Sequence, residues 1–273
     1  MLYNLVVKDR SQLILDLLER QGTASYEDIA KMLKVSNMTI RRECDALAQS
    51  EKIIKTVGGI QRADAPAYFH EGPVDDRLLI NHAEKQAIAR KSLELIGEQH
   101  TIYIDGSTTC LELAKLLARE RSGLTVVTNS VMICLEMSRG RNTIIGIGGE
   151  FDQESLSFGG SQAAICAKTF FVDLAIVSTK AFLPADGTYE SLVATFRIKQ
   201  IMAEQCSELV LLVDHTKFGK RSLSKVLDIS QIHHVVTDDK TSKSDISLLE
   251  GTVRKVTVAS IPSVDWKNAI VPE

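Results

Sequence analysis

The stretch VSNMTIRREC, Val35 to Cys44, sets two adjacent arginines one turn into a helical pattern. Ser36 stands just before the run, where a side-chain oxygen accepts from a free N–H of the first turn, so the spacing predicts a helix that starts there. Ile40, Cys44, Leu47 and Ala48 recur at i, i+4, i+7 and i+8 and form its inward stripe. A turn of about 100° per residue from Ile40 sends Met38, Arg42 and Gln49 to the opposite side and leaves Thr39 and Arg41 on the flanks.

Upstream, Leu13, Ile14, Leu17 and Leu18 recur at helical spacing before Gly22, a natural stop. Ser25 can cap a second, short helix, with Asp28 three residues on and Ile29, Ala30 and Leu33 as its buried stripe. A short helix, the tight connection Lys34-Val35 and a helix with polar and cationic groups near its N-terminal end make a helix-turn-helix, whose second helix enters the major groove. Downstream, Lys52 to Lys55 and Ile60 to Arg62 flank Val57-Gly58-Gly59 and read as a β-hairpin wing, from which Lys55 and Arg62 reach phosphates. Residues 1–62 are therefore expected to form a winged helix-turn-helix DNA-binding domain. Its candidate contacts are Ser36, Asn37, Met38, Thr39, Arg41, Arg42, Lys55 and Arg62, with Asn37, Met38, Thr39 and Arg42 for base edges.

The charge distribution agrees. The chain carries a net −3, yet residues 1–62 hold 10 Lys+Arg against 8 Asp+Glu, leaving 22 against 27 elsewhere. With 273 residues, 44% hydrophobic and 25% charged, it has ordinary globular composition. No apolar run nears the ~20 residues of a membrane span, and MLYNLVVKDR lacks the zones of a secretory signal, so a cytoplasmic location is expected. Cys44, Cys110, Cys134, Cys166 and Cys206 lie far apart without a C-x-x-C, and the six histidines show no H-x-x-x-H spacing. Reduced thiols are expected, and no metal or cofactor.

Ile29-Ala30, Val35-Ser36, Thr39-Ile40-Arg41-Arg42, Leu47 and Gly58-Gly59 resemble the N-terminal signature of the DeoR family of bacterial transcriptional regulators.

Residues 63–77 include Pro66 and Pro73 and show no sustained period, which reads as a linker. Residues 78–273 alternate strand and helix. Strands are expected at Thr101–Ile104, Leu124–Val127, Thr143–Ile147, Leu174–Ser178, Leu209–Val213, His234–Thr237 and Val253–Val258, with helices at about 83–96, 110–118, 131–138, 161–168 and 191–206. Such alternation implies a Rossmann-like α/β domain, a mainly parallel sheet covered on both faces with its ligand site at the carboxyl ends of the strands.

Those ends carry the polar groups. Asp105-Gly106-Ser107-Thr108-Thr109 runs from a buried strand into a helix, where backbone N–H groups, hydroxyls and the positive helix end converge on an anion such as phosphate. Asp105 suits hydroxyls elsewhere on the same ligand. Thr128-Asn129-Ser130 and Gly148-Gly149 end the next two strands, and Lys217 ends a later one with a cation; together these suggest a polyol phosphate. G-x-G-x-x-G and G-x-x-x-x-G-K are both absent, which argues against a nucleotide.

The resemblance resumes here. Asp105 to Thr109, Thr128 to Ser130, Gly148-Gly149, Gly187, Lys199 and Asp214 to Gly219 are similar to the DeoR-family sensor domain, which implies a fold related to phosphosugar isomerases and a phosphorylated sugar effector. At Ser178-Thr179-Lys180 the family more often has glycine after its strand, so Lys180 is either an additional ligand contact or a change to the pocket rim; with Glu190 it completes the effector-binding candidates.

The expected function is a DNA-binding transcriptional regulator, a repressor of a carbohydrate catabolic operon controlled by a phosphorylated sugar. One winged helix covers only a half-site, so a homo-oligomer, dimer or tetramer, is expected on operator DNA. The rival is a phosphosugar isomerase that carries a DNA-binding module, with Asp105, Glu190 and Asp214 as possible carboxylate bases. A third reading is a DNA-binding scaffold whose larger domain only oligomerises.

Overall fold

In a computed structural model of the chain, residues 10–18, 23–50, 52–56, 59–62, 74–153, 155–191 and 193–261 are described. The chain divides into two compact units, Met1–Ala67 and Tyr68–Glu273.

The smaller unit contains α1 (residues 10–18), β1 (Thr23–Ser25), α2 (Tyr26–Leu33), α3 (Asn37–Gln49), β2 (Ile53–Thr56) and β3 (Gly59–Arg62). The turn between α2 and α3 is tight because Lys34 adopts the left-handed conformation, φ 52°, and the Val35 N–H donates back to Ala30 O at 3.1 Å. Ser36 caps α3 as expected, its Oγ accepting from Thr39 N at 3.2 Å. Ile40, Cys44 and Leu47 are buried and meet Ile14, Leu18, Ile29, Ile53 and Ile60 in one core. Full burial of a side chain such as Ile40 is worth about 1.5–3 kcal/mol, so a few of these contacts hold this small unit together. The wing forms, with Ile53 opposite Arg62 and Lys55 opposite Ile60, while Val57 and Gly58 lie outside the described residues. One element was not expected: β1 pairs antiparallel with β3, Ala24 opposite Ile60, so the sheet runs β1-β3-β2. A three-residue strand is too short to show an alternating pattern.

The larger unit opens with α4 (Val74–Leu79) and α5 (His82–Ser92). Then follow β4 (Thr101–Ile104), α6 (Thr108–Glu120), β5 (Ser122–Thr128), α7 (Val131–Met137), β6 (Arg141–Gly146), β7 (Glu150–Asp152), β8 (Ser157–Gly159), α8 (Gly160–Ala167) and β9 (Val172–Ser178). The remainder is β10 (Ala181–Leu183), β11 (Gly187–Glu190), α9 (Val193–Glu204), β12 (Cys206–Leu212), β13 (Ser224–Asp228), β14 (His234–Asp238), α10 (Lys243–Glu250) and β15 (Lys255–Ala259). Of the expected linker, residues 63–73 lie outside the described residues, and 74–77 belong to α4.

Seven strands make one parallel sheet in the order β15-β14-β12-β9-β4-β5-β6. Its side chains alternate between two cores: Ile102, Ile104, Leu174, Ile176, Val210 and Leu212 pack with α5, α6 and α7. Tyr103, Ala175, Val177, Leu209 and Leu211 pack with α8 and α9 on the other face. The hairpin β7–β8 and the small sheet β10-β11-β13 are additions to this plan. Among the described residues, no helix is long and apolar enough to cross a membrane.

The strand order reverses at β4. The chain moves outward through β5 and β6, then returns to place β9 and β12 on the other side of β4. Crevices form at such reversals, outside the carboxyl ends of the strands.

Candidate functional site

On α3, Asn37, Met38, Arg41 and Arg42 are exposed and Thr39 is half-exposed, Met38 to 72%. An exposed methionine at the first turn is a group without core duty. Ser36 and Thr39 also join through their hydroxyls at 2.9 Å, so Thr39 Oγ1 takes part in the cap. Glu43 points away from this surface, toward α1, where Arg10 Nε stands 2.8 Å from its Oε1. Lys55 and Arg62 occupy β2 and β3; their side chains lie outside the described residues.

In the larger unit, the ends of β4 and β9 are tied together. Asp105 Oδ1 accepts from Ser107 N, and Oδ2 from Ser178 N, each at 3.0 Å. Lys199, reaching in from α9, stands 3.2 Å from Asp105 Oδ2 and also donates to Glu190 and to the Ser178 carbonyl. Burial pushes the Asp105 carboxyl up, but the Lys199 ammonium and the hydrogen bonds from Ser107 and Ser178 outweigh it and leave the group below its ordinary value. For Lys199 the balance runs the same way: burial pulls it down, Glu190 and Asp105 hold it above. Asp105, Glu190 and Lys199 thus form one buried charged cluster, and Lys180 Nζ lies at its rim, 3.1 Å from Ser191 Oγ.

Ser107 caps α6 by accepting from Cys110 N at 3.2 Å. The N–H groups of Thr108 and Thr109, in the first turn, have no intrahelical acceptor. Both residues are buried. Gly106 leaves room for Ser157, whose Oγ a Cβ there would strike.

Two strands away, Asp214 ends β12 and is 1% exposed. Its Oδ1 accepts from Thr216 N at 3.0 Å and from Asn81 Nδ2 at 3.1 Å, whereas Oδ2 is buried with no hydrogen-bond partner among the described residues. Beside it stands Lys85 of α5, 4% exposed, donating to the Arg77 carbonyl. Burial, reinforced by Lys217 and Arg77, pulls the Lys85 ammonium down to about 8, while Asp214 and Glu112 pull the other way. Lys217 is half-buried on the short helical turn after Asp214.

The structure thus gathers Asp105 to Thr109, Lys180, Glu190, Lys199, Asp214 and Lys217 around the ends of the neighbouring strands β4, β9 and β12. Four other candidates have framework contacts instead. Thr128 Oγ1 donates to Ile104 O at 2.7 Å, and Asn129 bridges the Tyr103 hydroxyl at 3.1 Å and Phe158 O at 2.8 Å, which seats the β7–β8 hairpin. A Cβ on Gly149 would strike Gly159 O and Ala163. Gly187, φ 139°, lies against Leu227 O of β13, at the end of β11 away from Glu190. Gly148 is exposed with open space around it.

Sequence reasoning missed Lys85, Arg77 and Asn81. A signal existed for Lys85, because it falls on the stripe Lys85, Ile88, Ala89, Ser92, all buried, at i, i+3, i+4 and i+7. An ionisable group on an apolar stripe needs a reason. Among the described residues, no group of three or more His, Cys, Asp or Glu side chains is placed to hold a metal ion.

Residues 10–65 match the DeoR-like helix-turn-helix domain, and residues 80–239 match the DeoR C terminal sensor domain. The chain belongs to the DeoR family of transcriptional regulators. It is 30% identical to the HTH-type transcriptional regulator GolR of Listeria innocua, covering 86% of this chain and 92% of that protein. It is also 30% identical to the transcriptional repressor AccR of Agrobacterium fabrum, over 93% of this chain and 98% of that one. The lactose phosphotransferase system repressor of Lactococcus lactis is 31% identical over 86% and 92% respectively. Among solved structures, ribose 5 phosphate isomerase A from Neisseria gonorrhoeae is similar at a TM-score of 0.38 and 15% identity, over 50% of this chain and 53% of that one. As a member of this family, the protein is a DNA-binding transcriptional regulator with a sensor domain for a small-molecule effector.

Proposed function

We propose that this regulator is a cytoplasmic repressor of a carbohydrate catabolic operon, and that a phosphorylated sugar bound at the ends of β4, β9 and β12 controls it. The observation that carries this reading is the meeting of two opposite demands in one place. Lys85, Lys217 and the first-turn N–H groups of α6 favour an anion, while the orphaned Asp214 Oδ2 lacks a donor, which a sugar hydroxyl would supply. A phosphorylated polyol meets both demands with separate groups, its phosphate and its hydroxyls.

Asp105 serves this reading as a tie between β4 and β9 rather than as a base. A base that moves protons between sugar carbons needs a free lone pair near neutral pH. Both oxygens of Asp105 are occupied and its carboxyl is held low.

Control would pass through α4. Asn81, just before α5, and the Arg77 carbonyl in α4 hold Asp214 and Lys85, so a ligand that engages those two groups bears on α4 and its connection to α5, the segment that follows residues 63–73. Only a ligand with different affinities for the attached and released arrangements shifts the balance. On the DNA side, Asn37, Met38, Thr39 and Arg42 read base edges, and Ser36, Arg41, Lys55 and Arg62 hold the backbone. The half-site covered by one wing makes a homo-oligomer part of the same reading.

Thermal unfolding of the full chain with a panel of sugar phosphates, the matching free sugars and inorganic phosphate tests this. At a hundred-fold excess over Kd, a bound ligand adds about 2.7 kcal/mol of stability. A sugar phosphate that raises the melting temperature more than either its free sugar or phosphate is expected; stabilisation by the free sugar alone refutes the anion half of the site.

A further inference from the structure

Arg41 stands on the flank of α3, exposed, and its guanidinium carbon lies 5.2 Å from the centroid of the Tyr26 ring. Tyr26 is the first residue of α2 and is itself buried, packed into the core with Ile29, Ile40 and Cys44. One arm of the helix-turn-helix therefore supplies an aromatic platform and the other a cation above it.

We propose that Tyr26 is a positioning residue for DNA binding: its ring holds the Arg41 guanidinium as a planar, pre-set donor toward a backbone phosphate beside the groove. The inference rests on the reading that α3 enters the major groove with Arg41 on the phosphate side.

Three physical points support it. A cation over an aromatic face within ~6 Å is attracted by the ring quadrupole, and more strongly where the ring is shielded from water. The Tyr26 ring is shielded on its core side, because it packs among fully buried side chains. The ring's π face is no hydrogen-bond acceptor of the carboxylate or phosphate kind, so the contact orders the side chain without consuming the donors a phosphate needs. A long side chain ordered before binding loses less rotamer freedom when the phosphate arrives. Lysine replaces it poorly, since an ammonium presents no planar fork of donors to a phosphate.

The test is a double-mutant cycle on the full chain, read by fluorescence anisotropy with a labelled duplex taken from the DNA upstream of its own gene, across a range of salt concentrations. Arg41→Ala and Tyr26→Leu are each expected to weaken binding by about three- to ten-fold. The double variant is expected to be no weaker than Arg41→Ala alone, and Tyr26→Phe to bind as the parent does. Arg41→Ala should also lower the salt slope by about one phosphate contact, whereas Tyr26→Leu, which keeps the charge, should change it less. Arg41→Lys leaves the core untouched should Tyr26→Leu unfold, and is expected to lose as much affinity as Tyr26→Leu.

If Arg41→Ala weakens binding while Tyr26→Leu or Arg41→Lys matches the parent, or if the two losses add, the positioning role is overturned and the phosphate contact stands. Full affinity in Arg41→Ala overturns the contact itself and the positioning role with it.

Discussion

Lys85 offers the sharpest test of where a phosphate would sit. Its ammonium is held at about 8 by burial and by Lys217 and Arg77, against about 10.4 for a lysine in water. A depressed lysine is charged below that value and neutral above it, so an anion that needs the charge binds at lower pH and is released as pH rises through 8. About nine in ten molecules carry the charge at pH 7 and about one in ten at pH 9, which predicts a roughly ten-fold loss of affinity over that interval. The ligand does not confuse the reading, because a phosphomonoester with its second pKa near 6 is mostly a dianion at both values. Calorimetric titration of the full chain with the best sugar phosphate, at pH 7 and 9, measures the ratio directly. Lys85→Met, which fills the buried space without charge, should bind more weakly at pH 7 and show a much flatter profile. A flat profile in the parent, or the same slope in Lys85→Met, would refute the placement of the phosphate beside Lys85.

Other outcomes follow from named contacts. Arg42→Ala should weaken binding to the cognate duplex by about 1–3 kcal/mol if its base contact is bidentate, and anisotropy showing unchanged affinity would remove it from the reading surface. Asp105→Asn breaks a buried charged cluster, so it should lower unfolding stability by about 3 kcal/mol in urea melts as well as blunt the response to effector; a mutant of parental stability would mean that Asp105 is not the tie between β4 and β9. Asn81→Ala removes the link to Asp214 and Thr216. It should leave ligand-induced thermal stabilisation in place while reducing the effect of ligand on duplex affinity, and intact coupling would exclude the Asn81 connection between α4 and α5 as the route.

The helix-turn-helix was legible because its signals are local. Ser36 lies three residues from the N–H it caps, and the stripe of Ile40, Cys44 and Leu47 needs only helical periodicity to be seen. The parallel strands were legible for a similar reason, as short buried runs separated by helices. What escaped was either too short for a pattern, as with β1 and β7–β8, or depended on pairing between distant segments. Thr128, Asn129 and Gly149 look from the sequence like ligand groups because they end strands in polar or glycine loops. Their partners are Ile104, Tyr103, Phe158, Gly159 and Ala163, and nothing local announces those contacts.

The same physics explains why one motif could be read and its partners could not. Asp105 to Thr109 ends a strand and starts a helix, so its chemistry belongs to one continuous segment. Which groups face it is decided by strand order, because the return from β6 to β9 sets Ser178 and Lys199 beside Asp105, and the next crossover brings in Asp214. Lys85 comes from α5, which packs on α6 rather than ending any strand. A search confined to strand ends passes over it. Burial first, then Lys217 and Arg77, pull its ammonium down against Asp214 and Glu112, and strongly perturbed groups of this kind cluster at functional sites.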